Sequence, residues 1–356
     1  MSGERVVVAM SGGVDSSVAA ACIVGRGDEA IGVTMHLAGA QSRCCSLEDA
    51  DDARRVADRL GMRFYVANYK ERFQREVIQA FADAYLAGRT PIPCVACNQQ
   101  FKFDYLLERA KVFGAERVAS GHYARVDRDP ETGLRRLRTA VYLPKDQSYF
   151  LFGLTQEQLE AVEFPLGEMT KDDVRARARE LGLGTAEKPE SQEICFVPDG
   201  DYAAVVEKIR PDALPGEGEI VDEAGTVLGH HPGIHHFTVG QRKGLGLGGG
   251  EKRYVTRIDA GRNRVVVGSA AALDVEEARV EFVHWIAGAA PPAGTRARVR
   301  VRYRHEGADA TLEPDGDVAR VRFDAPVRAI TPGQAAVFYQ GDVVLGGGWI
   351  AATPPA

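Results

Sequence analysis

The chain has no apolar run near its amino terminus that could cross a membrane or form the core of a secretion signal: Val6 to Met10 ends after five residues. A cytoplasmic protein without a membrane partner is expected. Cysteine is scarce, six in 356 residues, in two closely spaced pairs rather than a dense regular framework. That usage excludes a disulfide-stapled secreted fold and fits a reducing compartment, where thiols serve catalysis, metal binding or packing. Positive charge is not in excess either, with 44 Lys and Arg against 50 Asp and Glu and a net charge of -6. The balance argues against a basic coat for non-specific nucleic-acid binding, although a local basic face can hide inside an average. There is no internal repeat and no low-complexity tract. A hydrophobic content of 45% and a charged content of 26% exclude disordered, collagenous and coiled-coil chains. The length suffices for two or three domains.

The first two hundred residues alternate strands with helices. RVVVAM (5–10), AIGVTMHL (30–37), RFYVANY (63–69) and ERVASGHY (116–123) have the Val and aromatic content of strands. Residues 46–60 read as a helix with Ser46 as N-cap, acidic residues in its first turn, Arg54, Arg55 and Arg59 late, and Gly61 as its stop. Residues 70–87, closed by Gly88, read as another. The expectation is an α/β fold with a doubly wound parallel sheet, its ligands at the carboxyl ends of the strands. Pro211, Pro215, Gly216 and Gly218 mark a boundary. Beyond it the texture turns to antiparallel β in RARVRVRYR, VARVRF, AAVFYQ and VVLGGGWI. Expected divisions are a catalytic domain over 1–205, a small central domain over 206–275 and a β-barrel over 276–356.

SGGVDSS, Ser11 to Ser17, follows the first strand and opens a helix. Gly12 and Gly13 let the backbone approach a phosphate, while the new helix's amides and the Ser hydroxyls supply donors. The lysine of a G-x-x-x-x-G-K-[ST] loop is missing, which disfavours ordinary kinase or GTPase chemistry. Asp15 suits Mg²⁺ better than direct phosphate contact. The motif resembles the pyrophosphate loop of PP-loop ATPases, which cleave ATP to AMP and pyrophosphate. GLGLGG (244–249) has the spacing of a dinucleotide loop but opens no helical pattern, so that reading is rejected.

Cys94 and Cys97 lie in TPIPCVACN, whose prolines are expected to keep it irregular and exposed on a loop. Cys195 follows a hundred residues later in SQEICFV. Thiolates accept and pass on sulfur, and a lone CxxC leaves redox, zinc and iron–sulfur readings open. Cys22 reads as a buried small hydrophobe. Cys44 and Cys45 serve either loop packing or an accessory thiol role. The pairs His230/His231 and His235/His236, set among Pro and Gly without nearby cysteines, read as a structural or RNA-facing loop rather than a metal site.

SGGVDSS, GRTPIPCVACNQQFKF, ASGHYAR, KDQSYFL, SQEICFV, TVGQRKGLG, VRYR and TPGQAAVFY occur in one order across nearly the whole chain. In that order they resemble the tRNA-specific 2-thiouridylases, PP-loop enzymes that adenylate the C2 oxygen of the wobble uridine before sulfur displaces AMP. The resemblance implies an adenine nucleotide hydrolase-like PP-loop domain followed by a central domain and a C-terminal barrel. It makes Cys97 the nucleophile and Cys195 the persulfide-bearing cysteine, with ATP, Mg²⁺ and tRNA as reactants. ATP contacts carry over to Ala9, Met10, Ser11, Gly12, Gly13, Val14, Asp15, Ser16, Met35 and Gly121. tRNA contacts carry over to Lys145, Asp146, Gln147, Arg302, Tyr303, Gln334 and His122, and a pocket including Ile92, Pro93 and Cys94 would receive the flipped base. Where many members have an Asp three residues before the nucleophile, this chain has Cys94. Cys94 is then an auxiliary thiol, or Cys94, Cys97 and Cys195 hold a 4Fe-4S cluster with one iron open to sulfide. An upstream sulfur-relay protein or a sulfide source supplies the sulfur.

Arg296, Arg298, Arg300, Arg302 and Arg304 alternate with small or apolar residues and are expected on one face of a strand, available to phosphates. Residues 241–304 hold thirteen Lys or Arg against six Asp or Glu, a local +7 in a chain of -6. His122, in GHYAR, reads as an RNA contact before a catalytic acid. Two rivals stand beside thiolation: a PP-loop ligase acting on a small molecule, and an RNA-binding regulator whose nucleotide loop is only a switch.

Overall fold

The computed structural model describes residues 3–37, 46–189, 194–197, 200–248 and 251–352; Cys44 and Cys45 lie outside the described residues. β1 (Arg5–Ala9), α1 (Val14–Gly25), β2 (Glu29–His36), α2 (Leu47–Arg59) and β3 (Arg63–Asn68) follow one another as the sequence predicts. Ser46 caps α2 through a reciprocal pair of bonds with Asp49: Asp49 N donates to Ser46 Oγ, and Ser46 N donates to the Asp49 carboxylate, each at 3.1 Å. Residues 70–86 are helical as α3 (Lys70–Phe73), a π-helical stretch (Gln74–Ile78) and α4 (Gln79–Leu86). Next come α5 (Pro93–Ala96), a second π-helical stretch (Cys97–Tyr105), α6 (Leu106–Val112) and β4 (Arg117–Ser120). β5 (Ala124–Arg128), β6 (Arg135–Thr139), α7 (Gln156–Ala161), β7 (Val162–Glu163), α8 (Lys171–Glu180) and α9 (Tyr202–Ile209) complete this half of the chain.

Five strands form a parallel sheet in the order β3-β2-β1-β4-β7. The run Val6-Val7-Val8 explains why β1 is central. Val6 and Val8 pack with Val18, Ala53 and Val174 under α1, α2 and α8, while Val7 packs on the opposite face with Leu106 and Ala110 of α6. A strand covered on both faces reads as continuous apolar sequence rather than as an alternation. Strand order reverses between β1 and β4, so the crevice for a ligand lies beyond the carboxyl end of β1.

A second sheet, β10-β11-β8-β9, is built from β8 (Gly218–Val221), β9 (Val227–His231), β10 (Tyr254–Asp259) and β11 (Arg264–Gly268) around Ile220, Phe237, Val255 and Val265. The last module comprises β12 (Asp274–Trp285), β13 (Thr295–Arg300), β14 (Ala308–Asp315), β15 (Val318–Arg328), β16 (Ala335–Gln340) and β17 (Val343–Ile350). Their order β12-β15-β14-β13-β16-β17, with β12 also paired to β17, closes a six-stranded barrel. β6 and β5 extend the barrel sheet beyond β17. Asp342 fastens that junction by accepting from Arg125 at 2.7 Å and from Arg138 at 2.7 Å. Among the described residues no helix is long and apolar enough to cross a membrane.

Candidate functional site: a phosphate cradle beside two thiols

The loop 11–13 is shaped by close packing. Gly12 has φ +72°, and a Cβ there would stand 2.2 Å from the carbonyl oxygen of Asp49. Gly121, just past β4, covers the other side, where a Cβ would stand 2.7 Å from Ser16 N and from Asp15 C. Only glycine fits between these backbones. Gly13 precedes α1 without a side-chain cap, so the helix presents its first amides at the crevice. Ser16 Oγ accepts from Ser11 N at 3.2 Å and donates to Gly13 O at 3.0 Å; Ser17 Oγ also donates to Gly13 O, at 2.8 Å. The backbone of Met10 is held by Val33 O and by the hydroxyl of Thr34.

Asp15 brings in two residues that the motif alone does not reveal. Its Oδ1 accepts from Tyr123 Oη at 2.9 Å and from Lys171 Nζ at 2.7 Å. Lys171, at the start of α8, is only 8% exposed. The loop thus has an ammonium beside it, supplied from 156 residues downstream instead of from within the motif. Sequence distance hid it: TKDDV reads only as a capped helix start.

The CxxC segment corrects the expectation of an exposed irregular loop. Pro93 occupies the first position of α5, where its missing N–H costs nothing and its fixed φ suits the helix. Cys94 and Cys97 are therefore one helical turn apart, and both are half-buried. Cys97 and Cys195 pack against one cluster that contains Met35, Phe73, Val77 and Phe101. Edge-to-face rings, Phe101 on Phe73, Phe73 on Phe196 and Phe196 on Phe81, hold the residue next to Cys195 against the helices. Met35 is near the end of β2, adjacent to β1, so the thiols share a neighbourhood with the phosphate cradle. Cys22 packs on the core around α1, and burial pushes its thiol pKa up, in keeping with the packing role.

His122 is buried. Its Nδ1 lies 2.8 Å from Ser120 Oγ and its Nε2 3.4 Å from Lys102 Nζ, between the rings of Phe103 and Phe164. Burial first, and Lys102 second, hold its pKa well below the usual histidine value. The neutral ring therefore donates from Nδ1 to the hydroxyl and accepts from the ammonium at Nε2.

The arginine stripe is shorter than the alternation implies. β13 ends at Arg300, and Arg302 and Arg304 follow in a turn. Arg296 is paired with Asp324, at 2.8 Å for one of its bonds. Arg300 donates to Asp146 at 2.9 Å and lies over Tyr149 and Tyr339. Asp146 and Gln147 likewise turn inward. Asp146 also accepts from Ala140 N, Ser148 N and Ser148 Oγ, and Gln147 Oε1 accepts from Tyr123 N at 3.0 Å. Arg302 and Arg304 are exposed, Lys145 is half-buried, and Tyr303 packs on Phe150 at 4.4 Å. Gln334 Nε2 donates to Thr90 O at 2.9 Å, and Thr90 N donates to Pro332 O at 2.8 Å. These bonds bring the barrel against the segment leading into Ile92, Pro93 and Cys94.

Comparison with known proteins agrees with this architecture. Residues 4–199 match the family described as tRNA methyl transferase HUP domain, residues 204–269 the tRNA methyl transferase PRC-barrel domain, and residues 275–350 the aminomethyltransferase β-barrel domain. The class is a HUP-type nucleotide-binding domain followed by two β modules. Relatives named tRNA-specific 2-thiouridylase MnmA align along almost the entire chain. That of Koribacter versatilis is 48% identical over 98% of this chain and 99% of its own, and that of Rhodospirillum rubrum 51% identical over 99% and 97%. The chain belongs to the tRNA-specific 2-thiouridylase family. Among solved structures, a 4-thiouridine synthetase–RNA complex with bound ATP aligns with 59% of this chain and 51% of its own, at 19% identity and a TM-score of 0.40. NcsA, the U34-tRNA thiolase of Methanococcus maripaludis with its 4Fe-4S cluster, aligns with 60% and 69%, at 16% identity and a TM-score of 0.36.

Proposed function

We propose that the protein replaces the C2 oxygen of the wobble uridine of tRNA with sulfur, using ATP, through a persulfide on Cys195. The observation that carries this reading is that Cys97 and Cys195 share one aromatic cluster beside the strand ends that form the phosphate cradle. Family membership supports a tRNA sulfurtransferase. The cytoplasm is the proposed site of action, and a sulfur-relay protein or a sulfide source the proposed donor.

A uridine carbonyl is a poor electrophile and its oxygen a poor leaving group. Attack of that oxygen on the α-phosphate of ATP expels pyrophosphate and converts the oxygen into the leaving group AMP. In this scheme the cradle amides and Lys171 bind the departing pyrophosphate, while the Ser16 and Ser17 hydroxyls, which donate to Gly13 O, hold the loop in shape. Mg²⁺ bound with ATP, held by Asp15, would neutralise phosphate charge. The terminal sulfur of the Cys195 persulfide attacks C2 and AMP leaves. Cys97 then attacks the inner sulfur, releasing 2-thiouridine and forming a Cys97–Cys195 disulfide, which a cellular thiol reductant reopens. Cys94, one turn before Cys97, is the proposed auxiliary thiol, which in its thiolate form would take up the Cys97 proton. The base pocket is proposed at Ile92, Pro93 and Cys94, with Arg302, Tyr303, Gln334 and Lys145 around its mouth, while Asp146, Gln147 and His122 support neighbouring side chains.

Pyrophosphate release and iron content test this scheme together. Anaerobically purified, iron-free, colourless protein is expected to release pyrophosphate only when ATP and unmodified tRNA are both present. Release without tRNA points instead to a small-molecule ligase, no release to a regulator, and strict dependence on bound iron to a cluster held by the three thiols.

A further inference from the structure

The histidine pairs of the central module have no part in that chemistry. His231 is a core ring against Phe237 and His230 is exposed, but the second pair meets a carboxylate from another element. His235 Nε2 lies 3.3 Å and His236 Nε2 3.2 Å from Oε1 of Glu207, and one donor atom from each residue lies within 4.8 Å of the others. Zinc bonds to nitrogen and oxygen are about 2.0–2.2 Å, so neighbouring ligand atoms around a tetrahedral ion stand roughly 3.3–3.5 Å apart. The two Glu207–imidazole separations are therefore close to edges of such a tetrahedron.

The trio is also held in place. His235 is 2% exposed, its ring folded over Gly233, where a Cβ would come within 2.4 Å of the imidazole. A side chain at that position would push the ring out of the site. Tyr202 Oη donates to His236 O at 3.1 Å, fixing the turn Ile234–His236 to α9, the helix that carries Glu207. Glu207 and His236 are partly exposed, which leaves an entry path and room for a water as fourth ligand.

We propose that Glu207, His235 and His236 form a divalent metal site of the zinc class, which clamps α9 to the central module. Two imidazoles and one carboxylate suit Zn²⁺, Co²⁺ or Ni²⁺ and fall far short of the six to eight oxygens of a Ca²⁺ site. α9 packs through Val206 with Phe81, Tyr85 and Val197, so the clamp stiffens the wall behind the segment 194–197. The site stands whether or not the thiolation scheme does.

The test uses the full chain, stripped with chelator, desalted and titrated with Co²⁺ and then Zn²⁺. One equivalent is expected to give visible cobalt bands without the near-ultraviolet thiolate charge transfer, and Zn²⁺ is expected to raise the melting temperature. His236→Ala and Glu207→Gln, checked for fold by circular dichroism, should each weaken that equivalent by at least ~10-fold, a loss that even an outer partner of a ligand can cause. Both should also abolish the melting shift, while Cys97→Ser retains both signals. Equal affinity in parent, His236→Ala and Glu207→Gln, or cobalt bound only with a thiolate signature, overturns the site and leaves a hydrogen-bonded cluster. Glu207→Gln alters a part-exposed side chain, so it remains informative if His236→Ala fails to fold.

Discussion

Three single residues separate the account from a generic nucleotide fold. Lys171 sets an ammonium beside the loop through its bond to Asp15, and is proposed to supply the charge that the motif lacks. Lys171→Met should lower tRNA-dependent pyrophosphate release about 10²–10³-fold, the usual cost of one preorganised donor, while thiols and fold remain intact. Gly121→Ala places a methyl group against Ser16 N and Asp15 C, so ATP binding should be lost in calorimetry even if the chain folds. His122 predicts a pH effect of definite sign. Its folded pKa is depressed by burial, then by Lys102. The unfolded chain takes up a proton below about pH 6.5 that the folded chain refuses, so stability is present above that pH and is lost as pH falls toward the folded value. Urea unfolding of His122→Asn against the parent should show a shallower decline between about pH 6.5 and 5, by at most about 1.4 kcal/mol per pH unit. An unchanged slope would mean that the ring takes up protons in the folded state.

At the scale of elements, the strands and helices of the parallel sheet were legible because their signals are local. The Val run of β1, the Ser46 cap and the glycine loop each act within a few residues. The CxxC helix was misread because proline was weighed as a breaker when its place at a first turn makes it a starter. The arginine stripe was misread differently. Its alternation continues past the point where β13 leaves the sheet, and its partners Asp146 and Asp324 are distant in sequence. Lys171 and Glu207 were invisible for the same reason, since each becomes part of a site only through tertiary packing. The stripe yields a paired prediction. Arg300→Ala strands the buried carboxylate of Asp146 and should cost about 3–5 kcal/mol in chemical denaturation. Arg302→Ala should leave stability unchanged, weaken tRNA binding and reduce the slope of log affinity against log salt by about one. Reversal of the two effects would place the RNA-facing charge on Arg300.

For the whole molecule, a net charge of -6 is compatible with an RNA partner because the charge is distributed unevenly, and much of the apparent basic face is already neutralised within the protein. Binding should therefore rest on few phosphate contacts and on shape. The barrel is joined to the catalytic segment by β5 and β6, by Asp342 and by the bonds at Thr90. We propose domain limits near residues 205 and 275, with those two strands reaching across. The central claim is that sulfur passes from Cys195 to uridine with Cys97 completing the exchange. It is tested most directly by a single turnover of persulfide-loaded protein with ATP and unmodified tRNA, followed by mass spectrometry of both the wobble nucleoside and the protein. The account predicts an oxygen-to-sulfur exchange in the nucleoside, one Cys97–Cys195 disulfide per turnover, and neither product in Cys195→Ser. A methyl gain in the nucleoside, or thiolation at the parent rate in both Cys97→Ser and Cys195→Ser, would contradict it.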